Sequence, residues 1–131
     1  MKTQSLSVVC AMLVLILAGC GGKPSPDKAM LGKWEMNRER TEKLYPDTAK
    51  KYKQAKIEIN ADGTASVALD GEPQKYTWKE PRIQGESVLV NFVKEGGKDS
   101  EEFKFGGWGE NSMVAHLPKE QGAIAMNKVG K

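Results

Sequence analysis

From Ile57 to Val129 the chain is a succession of short apolar/polar alternations, cut by turn signals about every 8–12 residues. Alternation with a period of two is the mark of a strand with one buried face. Ile57 and Ile59 alternate with Glu58 and Asn60, and Asp62-Gly63 supplies a hairpin turn. Ala65, Val67 and Leu69 then share one face, and Asp70-Gly71-Glu72-Pro73 turns the chain again. Tyr76 and Trp78 fall together on the run 74–80, and 81–86 reads as the next turn. A β-prone run over 87–93 follows, then a loop over 95–99. Phe103 and Phe105 alternate with Glu102 and Lys104, and 106–111 is a wide glycine-rich turn. The spacing predicts two last strands at 112–117 and 123–129, separated by 118–122. A further strand at 30–36 places Trp34 and Met36 on one side.

Only residues 38–54 read as helical. Asn37 is a fitting N-cap, and Glu39 falls in the first turn, where the helix dipole favours negative charge. Pro46 interrupts the run and biases Tyr45 away from helix. The expectation is therefore a short helix over 38–44 and a second over 48–54, capped by Asp47. The fold class that follows is all-β: a small antiparallel barrel of about eight strands, with a short helical insert after the first strand. An open sandwich is the alternative.

Gly32-x-Trp34 on the first strand, the helical insert and the antiparallel meander together resemble the calycin architecture, to which lipocalins and fatty-acid-binding proteins belong. The resemblance implies that Trp34 packs across the closed end of a barrel formed by residues 30–131. The chain is shorter than a typical lipocalin and carries no late arginine motif of that group.

The N-terminus bears on location. Lys2 is followed by an apolar segment from Leu6 to Ala18, then by Leu17-Ala18-Gly19-Cys20. The segment is shorter than the roughly 20 residues a transmembrane helix needs. It resembles a bacterial lipoprotein signal peptide with its lipobox. That resemblance implies cleavage before Cys20, acylation of Cys20 and attachment to the membrane through the lipid. Two or more acyl chains give stable anchoring where one does not. Residues 1–19 are then the signal peptide and 20–29, with Gly21, Gly22, Pro24 and Pro26, a flexible tether. With Gly21 rather than aspartate after the cysteine, the outer membrane is expected rather than the inner.

Cleavage leaves about 100 residues beyond the tether, enough for one small domain. Loss of Lys2 lowers the net charge from +3 to +2, too even a balance to indicate nucleic acid. Cys10 leaves with the signal and Cys20 takes lipid, so the folded domain has no thiol. That excludes a disulfide, a thiolate metal site and a cysteine nucleophile. His116 is the one histidine, whereas a histidine zinc site normally needs two or three. No carboxylate pair stands out, since alternation sends Glu101 and Glu102 to opposite faces. No catalytic residue, metal or cofactor is expected.

Two groups of residues remain as binding candidates. Tyr76, Trp78, Phe92, Phe103 and Phe105 would line an apolar ligand site near the open end of the barrel, or else form plain core. An eight-stranded barrel is just wide enough to be filled by side chains or to hold one small ligand. The bulk of the inward set, which includes Trp34, Met36, Ile57, Ile59, Val88, Val90, Met113, Ile124 and Met126, favours filling. On the surface, Trp108 in its glycine-rich turn is either an exposed anchor or a lid folded onto the barrel. Lys50, Lys51 and Lys53, with Lys56, form a basic cluster beside the helix. It suits acidic envelope polymers or anionic lipid, or is simply solvated. His116 is expected on the outer, solvated face with Val114. The reading is a lipid-anchored, non-enzymatic envelope protein that binds a small apolar ligand in or at the mouth of its barrel, or nothing. The alternative is a module that docks an envelope protein or polymer through the barrel surface.

Overall fold

The computed structural model describes residues 25–130; the segment read as a signal peptide and Cys20 lie outside that range. Eight strands form a closed barrel: β1 (Gly32–Met36), β2 (Ala55–Ile59), β3 (Thr64–Leu69), β4 (Gln74–Gln84), β5 (Ser87–Lys94), β6 (Ser100–Gly106), β7 (Ser112–His116) and β8 (Ala123–Val129). Each strand pairs antiparallel with the next, and β8 returns to pair with β1, Lys33 opposite Val129 and Met36 opposite Met126. Closure removes the free sheet edges that an open sandwich would leave. This is the small all-β barrel that the alternation predicts, and it is consistent with a lipocalin-like fold.

The helical insert follows β1. α2 spans Arg38–Leu44, and the Asn37 side chain caps it by accepting from the Arg40 N–H at 3.0 Å. α3 spans Pro46–Lys51, earlier than the expected 48–54. Proline is already set for the first helical position, so Pro46 starts the helix instead of delaying it. Asp47 then lies in the first turn, and no side chain caps that helix. Arg38 closes its far end, donating to the carbonyls of Ala49, Tyr52 and Lys53.

The two helices have a specific task in the barrel. β1 ends at Met36, so the first residues of β8 lack a strand neighbour on that side. The buried hydroxyls of Thr41 and Thr48 fill the gap. They accept from the N–H groups of Ala125 (3.0 Å) and Ala123 (3.2 Å). Buried N–H groups left unpaired would each cost about 1–3 kcal/mol. α2 and α3 thus complete the wall where β1 leaves it.

A second departure from expectation is the region 81–86. β4 continues through it to Gln84, and the turn comes at Gly85-Glu86. The register shifts between Lys79 and Arg82, with Glu80 at φ 54°. Pro81 cannot donate to a ladder, so the strand accommodates it as an irregularity.

Strand direction sorts the connections into two ends. The start of β1, the β2–β3 turn, the β4–β5 turn and the β6–β7 loop share one end. α2, α3, the β3–β4 turn, the β5–β6 loop and the Pro118–Glu120 turn share the other. At the first end the chain enters through a one-turn helix, α1 (Pro26–Ala29), within the segment read as tether, and Met30 after it is fully buried. The Trp34 indole N–H donates to the Met30 carbonyl at 2.9 Å. Trp34 is 3% exposed. Met30, Trp34 and Trp108 plug this end, which makes it the closed one.

Candidate binding surfaces

The barrel interior is occupied by its own side chains. Ile57, Ile59, Val88, Val90, Met113, Ile124 and Met126 are all buried, and Leu69 and Met36 pack against them. Four of the five aromatic candidates join this core. Phe92 and Phe103 lie 4.7 Å apart, Tyr76 and Phe92 5.6 Å, and Phe103 and Phe105 stack at 6.0 Å. Such spacings are the contact distances of aromatic rings. Tyr76 is the most exposed of the four at 8%. Burial, then the nearby Glu101 carboxylate at 3.5 Å, holds its hydroxyl above the usual phenol range. Trp78 is half-buried and packs against the edge of this core; it donates its indole N–H to the Thr64 carbonyl at 3.1 Å, where β3 begins.

Trp108 lies half-buried at the closed end. Its indole N–H donates to the Glu86 carbonyl at 2.6 Å, and its ring packs 6.3 Å from that of Trp34. The glycines around it let the loop fold the ring back as a lid. Lys128 sets its ammonium over the Trp34 ring at 5.5 Å, a cation–π contact that alternation in β8 does not advertise.

Lys50, Lys51 and Lys53 are exposed at the open end, on α3 and just past it. Lys51 reaches over the Tyr52 ring at 5.5 Å. Among the described residues, no carboxylate lies within ion-pair distance of the three. Lys56 faces Glu35 at 4.0 Å. The nearby Asp70 carboxylate instead accepts from the backbone N–H groups of Lys53 and Gln54. These hold its pKa below the usual carboxylate range.

Among the described residues, two grooves on the outer wall stand out. The larger, of about 420 Å³, runs across β1, β2 and β3. Lys33, Glu35, Lys56 and Glu58 form its sides, and the short side chains of Ser66 and Ala68 leave the space between. The sequence signal for it was the outward half of the alternation: long charged residues on two strands beside short ones on the third. The second groove, of about 400 Å³, lies over β5, β6 and β7 and includes Glu102, Lys104 and His116. His116 is half-buried there, not fully solvated, and Val114 beside it is buried on the outer face. Burial, and secondarily the Lys104 charge, holds the imidazole pKa below its ordinary value. Among the described residues, no three His, Asp or Glu side chains are grouped to hold a metal ion.

The described residues define a small closed barrel with a packed interior and grooves of mixed polarity on its outer wall. No family model, curated protein or solved structure matches the chain.

Proposed function

We propose that the protein is a non-enzymatic, lipid-anchored component of the bacterial envelope that binds a macromolecular partner through its outer wall. The observation that carries this reading is the filled interior. Four of the five aromatic residues expected to line an internal ligand site, Tyr76, Phe92, Phe103 and Phe105, are buried in the core. Recognition then falls to the surface. The β1–β3 groove offers charges of both signs around a short-residue floor, a pattern suited to a polar chain of protein or envelope polymer. The lysines of α3 extend that surface at the open end. The lipobox ending in Cys20 is the basis for the anchor, and Gly21 after it favours the outer membrane.

In-cell photocrosslinking tests this reading. A photoreactive residue at Ser66, on the groove floor, is expected to yield one discrete high-mass adduct. The same residue at Asn91, exposed on β5 and outside the groove, is expected to yield none. Equal, diffuse labelling at both positions would contradict a specific outer-wall partner.

A further inference from the structure

The point at which the chain enters the barrel restricts how the barrel sits on its membrane. This inference rests on the lipid anchor at Cys20. Ser25 directly precedes α1, and α1 packs against β4 and β5 at the closed end. Five residue steps separate Cys20 from Ser25. Even fully extended, five steps span no more than about 18 Å. The acylated cysteine itself sits at the bilayer interface. The closed end therefore cannot retreat far from the lipid.

That end also carries an apolar projection. Beyond its irregularity at Glu80, β4 overhangs the start of β3 and pairs only with β5 on its way to the Gly85-Glu86 turn. Ile83 on this overhang is 53% exposed, matched among the described residues by Leu44 on α2 at the other end (52%), so it is the nearness of the tether that singles out the Ile83 end. Val129, at the same end, is 37% exposed. Trp108 ties the overhang to the plug by donating to the Glu86 carbonyl. A short tether and a projecting isoleucine thus converge on one face.

We propose that the closed end is the membrane-docking face of the anchored protein. The β4–β5 overhang, with Ile83 at its apolar point, rests in the lipid headgroup region. The occupant of this face is the bilayer that holds the acyl chains. The consequence for recognition is an orientation. Strands of five to eleven residues at about 3.3 Å per residue, tilted across the barrel, set the two ends roughly 15–20 Å apart. The open end, with α3 and Lys50, Lys51 and Lys53, points away from the membrane of anchorage. Those lysines are then presented to partners across the compartment and not to the lipid below.

The experiment uses the full-length protein, matured in a bacterial host and reconstituted in vesicles containing headgroup-spin-labelled lipid. Because acylation consumes Cys20, a single introduced cysteine takes a fluorophore cleanly. I83C and K98C, the latter in the β5–β6 loop at the open end, are both exposed positions. The mass of each purified protein first reports whether Cys20 is cut and acylated. With acylation present, the fluorophore at position 83 is expected to be quenched at least threefold more strongly than that at position 98. Equal quenching, or stronger quenching at position 98, overturns the orientation and leaves the anchor standing. An unacylated Cys20 in the mass spectrum overturns both.

Discussion

Two threonines decide more about this barrel than their residue type suggests. Thr41 is fully buried, accepts from the Ala125 N–H and donates to the Asn37 carbonyl at 2.8 Å. T41V keeps the shape and removes both bonds. It is expected to lower the unfolding free energy by about 1–3 kcal/mol in urea denaturation, with T41S retaining most of the stability. His116 gives a prediction in pH. Its folded pKa lies below the unfolded value of 6.5, so the fold prefers the neutral ring. Its contribution is intact above the unfolded pKa. It is lost as pH falls from there toward the folded pKa, because the unfolded chain takes up the proton more readily. Urea midpoints measured from about pH 7.5 to about pH 5 are therefore expected to fall more steeply for the wild type than for H116Q. Parallel curves would remove His116 from the pH response.

At the scale of elements, much of this architecture was legible. The Asn37 cap and the span 38–44 were readable because capping and chain breaking are local. The strand 123–129 was readable from its flanking breakers. What local reasoning missed depends on partners far away in sequence. The start of α3 at Pro46 follows from a proline fitting a helix start as well as it ends one. The continuation of β4 past Pro81 follows from pairing with β5, which no turn propensity reports. The role of α2 and α3 as a substitute for a strand beside β8 was invisible, because it rests on pairs 84 and 75 residues apart. Gly122 tests that role. It has φ +119°, and a Cβ there would collide with the Thr48 hydroxyl. G122A is expected to cost about 1–3 kcal/mol in thermal or urea unfolding. Gly85 has φ +63° but open space around it, so G85A isolates the backbone cost and is expected to destabilise less.

The whole molecule shows where a one-dimensional pattern stops. Alternation identified the inward face of nearly every strand: each inward residue read from the sequence is buried in the core or packed against it. It could not say whether those side chains meet across the barrel, since that depends on strand tilt and stagger. The near-complete burial of inward side chains from β1, β2, β5, β6, β7 and β8 (Trp34, Ile57, Val88, Phe105, Met113 and Met126) answers it in three dimensions. The outer grooves were equally hidden, since a groove is set by the relative heights of side chains on adjacent strands. Filled inside and grooved outside, the barrel is a packed support for a surface.

The direct test is native mass spectrometry of the full-length protein purified from a bacterial host, read before and after denaturation. A packed barrel predicts the same mass in both states, that of the covalent chain alone. A native species heavier by about a few hundred daltons, lost on denaturation, would mean a small ligand held by the fold. It would contradict the filled interior and return attention to Tyr76, Phe92 and Phe103.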